Sequence, residues 1–213
     1  MGFGGAGSNQ AIKAKMAMSR LLLARHGESE SSVKMRVGGH RGCGGLTPKG
    51  VLQVADLSQR ILKVGLKPTV VMRSHLRRSS QTAEILGMAL SLPVLGPECA
   101  FCERHAGSID SVPFEDLAKE TNWLPQRPIS SGGESSLDLD ARVKNVAVPF
   151  LASYRDVQTI LVSHLGFIES FIRQAVVGKK AFDLGSGSFM IAEATAIELT
   201  WHDRRCLEII GMI

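Results

Sequence analysis

The stretch Leu21-Leu22-Leu23-Ala24-Arg25-His26-Gly27 decides the fold. Its four consecutive apolar residues are typical of a short strand, about residues 20 to 24, that is buried on both faces of a parallel sheet. The apolar run stops at an arginine, a histidine and a glycine, so polar groups begin where the strand ends. An open parallel sheet binds its ligands outside the carboxyl ends of its strands. We therefore expect Arg25 and His26 to face a ligand.

Two further predicted strands end in the same way. The strand at residues 69–72 runs into Arg73, and Arg78 opens the helix that follows. The strand at residues 158–162 runs into Ser163-His164-Leu165-Gly166. If these strands are parallel neighbours, two histidines and at least two arginines converge on one crevice. Helix N-termini at that edge add N–H groups that favour an anion, so the implied ligand is a phosphate.

Helical patterns alternate with these strands. Thr47 and Pro48 supply the hydroxyl cap and the first-turn proline of a helix that reaches Gly65. Three more helices are predicted at residues 78–90, at 136–154 with a kink or end at Pro149, and from Leu165 to Gly178. The tail, residues 192–212, reads as a hairpin. This alternation predicts an α/β protein, a three-layer α/β/α sandwich around a mostly parallel sheet.

The chain of 213 residues predicts one domain, residues 19–213. Residues 93–134 contain most of the eight prolines and little periodicity, which favours a cap region that faces the substrate. Residues 1–18 are glycine-rich and are interpreted as a flexible leader.

The composition narrows the class of protein. Hydrophobic residues make up 44% and charged residues 21%, which indicates a globular domain and excludes disorder and coiled coil. The longest apolar run is too short to span a membrane. The net charge of +5 favours anionic partners, but it does not separate nucleic acid from a phosphorylated small molecule.

Four cysteines are too few for a disulfide scaffold, and they are interpreted as reduced thiols of a cytoplasmic protein. The pair Cys99-x-x-Cys102 has neither a second pair nor a histidine at ligand spacing. Because a structural zinc site needs four ligands, no metal site is predicted there.

The predicted crevice has the groups that phosphoryl transfer needs. A neutral imidazole can attack phosphorus to form a phospho-histidine, which water then hydrolyses. Arginine can bind two phosphate oxygens at once, and nearby positive charges lower the pKa of a histidine, which keeps the attacking nitrogen unprotonated. The sequence contains neither a nucleoside triphosphate loop nor a dinucleotide fingerprint.

Six ordered segments, all within residues 19–213, carry a resemblance to a known family. They are Arg25-His26-Gly27-Glu28-Ser29, Leu46-Thr47-Pro48-Lys49-Gly50, Ser74 to Ala83, Glu103-Arg104-His105-Ala106-Gly107, Gly133-Glu134-Ser135 with Arg142, and Val162-Ser163-His164-Leu165-Gly166. On these segments the chain resembles the histidine phosphatase superfamily, the phosphoglycerate-mutase-like enzymes, and its phosphatase branch in particular.

The resemblance implies a role for each matching residue. His26 is the nucleophile that becomes phosphorylated, and Glu103 protonates the leaving oxygen. Arg25, Arg78 and His164 hold the phosphate. His105 is expected at the rim of the substrate site. Neither a metal nor an organic cofactor is implied for hydrolysis.

Two positions depart from the family pattern. The family usually has asparagine six residues after the nucleophile, where this chain has Ser32, so a shorter hydroxyl takes the place of an amide beside the substrate. The segment after Gly107 also differs, and it helps to shape the pocket for the leaving group. The physiological substrate therefore stays open.

Three functions remain as alternatives. The first is a phosphomonoester hydrolase that acts on a small phosphorylated metabolite. The second is a phosphoglycerate mutase that depends on a bisphosphorylated cofactor, and the third is a phosphate-binding protein without catalysis. The expected partner is a small phosphorylated substrate rather than nucleic acid or a membrane. The oligomeric state is open, with a homodimer among the alternatives.

Overall fold

A computed structural model describes residues 19–117, 124–147, 149, 153–154, 157–174, 190–202 and 206–213. The predicted leader, residues 1–18, and the predicted helix end at Gly178 lie outside these ranges. Among the described helices, none combines the length and the apolar character that crossing a bilayer requires.

One mixed sheet of six strands forms the centre of the domain. The strands are β1 (Ser19–Arg25), β2 (Val70–Ser74), β3 (Val94–Glu98), β4 (Gln158–Ser163), β5 (Ala196–His202) and β6 (Cys206–Met212). Their order across the sheet is β3-β2-β4-β1-β5-β6. The pairs among β1 to β4 are parallel, whereas β5 and β6 add an antiparallel hairpin beside β1. The three strands predicted to end in polar groups are therefore adjacent and parallel.

Five α-helices are described: α1 (Glu30–Val33), α2 (Pro48–Lys63), α3 (Arg77–Leu90), α4 (Ser136–Arg142) and α5 (Leu165–Ile172). Helix α2 begins as the sequence predicts, because the Thr47 side chain accepts from the N–H of Gly50 and proline occupies the first turn. Helix α4 begins with a capping box between Ser135 and Asp138.

Both faces of the sheet are buried, and β1 shows how. Leu21 and Leu23 pack with Phe167 and Phe171 on one face, while Leu22 and Ala24 pack on the other face in a cluster that contains residues of α2 and α3. Alternate side chains of a strand point to opposite faces, so a continuous apolar run supplies both cores. The predicted three-layer α/β/α sandwich is confirmed.

Two regions differ from the sequence prediction. The predicted cap region begins with an edge strand, β3, which pairs with β2 and was not predicted. Pro93, Gly96 and Pro97 obscure its pattern, and an edge strand tolerates them because one side of its backbone needs no partner. Helix α4 ends at Arg142, and a π-helical segment, Val143–Ala147, follows it directly. Most of the remaining predicted helix, up to residue 154, lies outside the described ranges.

Candidate active site

His26 lies at the carboxyl end of β1 and is only 4% exposed. Its Nδ1 lies 2.7 Å from the carbonyl oxygen of Gly27. Because a carbonyl only accepts, the proton of the neutral ring is on Nδ1. Its Nε2 in turn accepts from the Nε–H of Arg78 at 2.9 Å. The lone pair of Nε2 is therefore free of a proton, which is the state that a nucleophile requires.

Close backbone packing holds the turn after His26. A Cβ on Gly27 would lie 2.6 Å from the carbonyl oxygen of Gly50, so no larger residue fits there without a shift. The N–H of Gly27 donates to Thr82 Oγ1, whose hydroxyl donates to the carbonyl of Arg78. Helices α2 and α3 thus fix the strand end that carries His26.

Arg78 is buried in the first turn of α3. Besides its bond to His26, its Nη1 donates to the carbonyl oxygen of Gly38 at 2.6 Å. One guanidinium thus joins His26 to the loop after α1, a double contact that a lysine ammonium could not make with the same geometry.

His164 follows β4 and faces His26, with the ring centroids 5.2 Å apart. Its Nε2 lies 2.6 Å from Ser74 Oγ, and Ser74 Oγ also accepts from the N–H of Leu76. Ser74 Oγ thus holds Nε2 of His164, and which of the two atoms donates depends on the tautomer of the ring. The other ring nitrogen, Nδ1, is buried and has no hydrogen-bond partner among the described residues, so it is available to a ligand.

Both histidines are held neutral. Burial is the largest cause that lowers the pKa of His26 well below its usual value, and the charges of Arg78 and Arg25 add to it. Burial, then Arg78 and then His26 lower the pKa of His164 in the same direction. The crevice therefore carries its positive charge on guanidinium groups and keeps its imidazoles unprotonated.

Arg25 approaches the same crevice from the last position of β1. Its Nη1 donates to the carbonyl of Ile191 at 2.6 Å, and its Nη2 lies 3.9 Å from a carboxylate oxygen of Glu193. Its Nε is buried without a hydrogen-bond partner among the described residues. Together with Nδ1 of His164, this atom is a second buried polar atom without a hydrogen-bond partner among the described residues.

Glu103 lies beside Gly166, the last residue of the segment Ser163-His164-Leu165-Gly166 that ends β4 and begins α5. Its Oε1 accepts from the N–H of Arg104 at 2.9 Å, and its Oε2 accepts from the N–H of Gly166 at 3.1 Å. A Cβ on Gly166 would collide with the carboxylate, so glycine permits this approach. The structure thus brings Glu103 into contact with Gly166, which lies two residues after His164 in the chain.

Arg142 and Glu134 support the segment that carries Glu103. Arg142 donates from Nε and Nη2 to the two carboxylate oxygens of Glu134, each at 2.8 Å. Its Nη1 donates to the carbonyls of Ala100 and Cys102. Gly133-Glu134-Ser135 and Arg142 form one of the segments that carry the family resemblance. Only the tertiary structure shows that Arg142 joins Glu134 to the backbone just before Glu103.

Among the described residues, the hydrogen bonds of Ser32 and His105 go to groups other than His26 and His164. The hydroxyl of Ser32 is hydrogen-bonded to Ser29 Oγ in the first turn of α1. His105 contacts Cys99, Glu134 and the ring of His40. Sequence reasoning also missed Ser74, although it stands first in the quoted segment Ser74 to Ala83.

A pocket of about 460 Å³ adjoins Glu103. Its described walls are mostly apolar, and Arg104, Glu169 and Arg173 are its other charged residues. The apolar side chains include Val37, Ala106, Phe114, Ile129 and Leu165. The region predicted as a cap contributes many of them.

Curated relatives include a bifunctional protein of Mycobacterium tuberculosis, which is 31% identical over 175 residues. The match covers 79% of this chain and 46% of that protein, so the chain spans about half the length of this relative. A probable phosphoglycerate mutase of Escherichia fergusonii is 28% identical over 156 residues, which covers 69% of this chain and 70% of the relative.

Solved structures have the same fold. A mycobacterial glucosyl-3-phosphoglycerate phosphatase in complex with VO3 superposes with a TM-score of 0.74 at 22% identity, covering 91% of this chain and 98% of the other. A phosphoserine phosphatase mutant of Entamoeba histolytica gives a TM-score of 0.70 at 18% identity, covering 91% and 96%. Residues 21–208 match the histidine phosphatase superfamily (branch 1). With that match over most of its length, and with a sheet that brings His26 and His164 together, this chain belongs to the histidine phosphatase superfamily.

Proposed function

We propose that the protein is a phosphomonoester hydrolase that acts through a phospho-histidine on His26. The observation that carries the proposal is the tautomer of His26. Its Nδ1 is held by the carbonyl of Gly27, and its unprotonated Nε2 points to the guanidinium of Arg78. Such a ring is a nucleophile already in its reactive form, with the charge that a phosphate needs beside it.

The first half of the reaction transfers the phosphoryl group to the enzyme. Substrate phosphate takes over the Nε–H of Arg78, which releases the lone pair of His26 Nε2 to attack phosphorus. The bond between phosphorus and the ester oxygen breaks, and protonated Glu103 gives its proton to that oxygen. Arg25 Nε and His164 Nδ1, both buried and without a partner among the described residues, bind the oxygens on which charge develops. The proposed mechanism thereby assigns the ring proton of His164 to Nδ1.

The second half restores the enzyme. A water molecule gives a proton to Glu103 and attacks phosphorus, and the bond to His26 Nε2 breaks. Inorganic phosphate leaves, His26 returns to its neutral state and Glu103 is protonated again. Each residue ends as it began, so the cycle consumes only the ester and water.

The pocket beside Glu103 supports a hydrolase and suits a leaving group with apolar surface. Arg104 donates to Ser136 Oγ and Arg173 donates to Asp140 Oδ1, so both arginines of the pocket already have partners. A mutase must hold a carboxylate-bearing ligand at this position. The names of several relatives keep phosphoglycerate mutase as the second candidate.

The test combines hydrolysis of p-nitrophenyl phosphate in the presence of a chelator with trapping of the phosphoenzyme. We expect wild type to release phosphate and to form an acid-labile, base-stable phosphoprotein. His26→Ala should abolish both, whereas the matched variant Ser58→Ala, a buried serine of α2 bonded to its own helix, should retain both. Hydrolysis that survives His26→Ala would overturn the mechanism. Conversion of 3- to 2-phosphoglycerate that outpaces hydrolysis, and that needs added bisphosphoglycerate, would instead establish the mutase.

A further inference from the structure

We propose that His40, Cys99 and His105 form a binding site for a borderline-soft transition-metal cation, with zinc as its simplest occupant. The three side chains come from the loop after α1, the turn after β3 and the segment after Glu103. Each offers one ligand atom, and the three atoms lie within 4.8 Å of one another. Two imidazoles and a thiol are the donors that zinc prefers over oxygen ligands.

The two nitrogen–sulfur spacings of the cluster are those of a metal centre. His40 Nε2 lies 3.3 Å from Cys99 Sγ, and Cys99 Sγ lies 3.6 Å from His105 Nε2. Bonds of about 2.3 Å to sulfur and about 2.0–2.1 Å to nitrogen, at a tetrahedral angle, separate the two donor atoms by roughly 3.6 Å. Small side-chain adjustments would therefore suffice to complete the coordination.

A carboxylate stands behind one of the ligands. With Nε2 of His105 toward Cys99, its Nδ1 lies 3.8 Å from Oε1 of Glu134. Glu134 is anchored by Arg142 and by the N–H of His105. A ligating histidine commonly donates its second N–H to such a carboxylate, which fixes its tautomer and orientation.

The ligands are accessible to solvent. His40 and Cys99 are exposed and His105 is half-buried, so a cation can reach all three side chains.

The neighbours of the cluster define its limits. Cys102 is buried and is not among the three clustered donors, although it lies three residues after Cys99. The ring of His75 lies 5.9 Å from that of His40, outside the set of three. Two histidines and one cysteine leave a fourth position for water or for an oxygen of a ligand. The pair Cys99-x-x-Cys102 therefore shares only Cys99 with this site.

The site adjoins the reaction centre without being part of it. His40 lies two residues after Gly38, whose carbonyl accepts from Arg78. His105 likewise lies two residues after Glu103. A bound cation would cross-link the loop after α1 to the segment that carries the acid. Hydrolysis through His26 needs no such cation, so binding and catalysis can be tested separately.

Cobalt(II) added to the full chain, purified with chelator and kept reduced, tests the site directly. We expect one equivalent to produce the thiolate-to-cobalt absorption in the near ultraviolet and the intense visible bands of a tetrahedral centre, and zinc to displace them. Cys99→Ser should remove the ultraviolet band, and His40→Ala or His105→Ala should weaken binding at least tenfold. Cys43→Ser, which removes another thiol, and His75→Ala, which removes the neighbouring ring, serve as matched controls and should bind as wild type does.

Two results would overturn the proposal. One is a cobalt spectrum without the thiolate band in wild type, and the other is a band that persists in Cys99→Ser. A zinc titration followed by thermal unfolding gives an independent measurement: the midpoint should rise for wild type and for Cys43→Ser, and stay unchanged for the double variant His40→Ala/His105→Ala. An equal rise in all three proteins would place the zinc elsewhere.

Discussion

Arg78 donates its Nε–H to the Nε2 of His26 across 2.9 Å, while its Nη1 donates to the carbonyl of Gly38. Arg78 and His26 are thus hydrogen-bonded to each other. In the proposed mechanism, substrate phosphate competes for this guanidinium and so frees the nitrogen that attacks. The proposed nucleophile is kept neutral and oriented by the residue that would later bind the phosphate.

Replacing Arg78 by lysine should therefore damage catalysis. An ammonium is a single point of charge and cannot contact both His26 and Gly38 with the geometry of a planar guanidinium. We expect kcat/KM for p-nitrophenyl phosphate to fall by about 10²–10³, the loss typical of one transition-state donor. Arg77→Lys, at the exposed neighbouring position, is the control and should keep wild-type kinetics. Similar losses in both variants would contradict the role given to Arg78.

Ser74 is predicted to act as a positioning residue through His164. Ser74→Ala removes the hydroxyl that lies 2.6 Å from Nε2, so the ring loses the contact that orients it and, in the proposed mechanism, keeps its proton on Nδ1. We expect kcat to fall by about tenfold or more, with a changed pH profile, because the other tautomer would present a lone pair to phosphate. Ser74→Thr, which restores the hydroxyl, should recover part of the rate. An unchanged pH profile in Ser74→Ala would leave it a purely structural residue.

Gly166→Ala should impair the acid while sparing the fold. The added methyl group meets the carboxylate of Glu103, the end of a flexible side chain, which can move away at little cost to stability. Alanine is also the better helix former by about 1 kcal/mol, so the thermal midpoint should hold. Esters with poor leaving groups should slow far more than p-nitrophenyl phosphate, as expected also for Glu103→Gln. Equal slowing of both ester classes would count against an acid role for Glu103.

The buried histidines predict how stability depends on pH. His26 and His164 have a pKa in the folded state well below the value of about 6.5 in the unfolded chain, so the unfolded state binds more protons below that pH. Stability should therefore fall as the pH drops from about 6.5 toward the folded-state pKa, by about 1.4 kcal/mol per pH unit for each histidine.

Urea unfolding between about pH 5 and 7.5, through the unfolded-state histidine pKa, measures this slope. The variant His164→Asn keeps a polar side chain but removes one titrating group, and its slope should be shallower by the contribution of one histidine. Because wild type and variant share the other titrating groups, the difference isolates His164. Parallel curves for the two proteins would show that His164 titrates normally in the folded state.

Three of the strands and the start of α2 could be predicted from the sequence, because the patterns that indicate them are local. The apolar runs predicted β1, β2 and β4, and Thr47-Pro48 predicted the start of α2, since caps and periodicity act over a few residues. Strand β3 was missed because its prolines and glycine hide an edge strand. Its place became visible only through pairing with β2.

By itself, the sequence determined that strands of a parallel sheet end in Arg25-His26, Arg73-Ser74 and Ser163-His164, because an apolar run followed by polar residues is a property of neighbouring positions. Only the tertiary structure decided which atoms meet. The structure brings Arg78 to His26, Ser74 to His164 and Glu103 to Gly166. It also places His105 beside His40 and Cys99. These are contacts between segments that are distant in the sequence or lie on different loops. Such contacts depend on how the layers pack, and no local pattern encodes the distances between them.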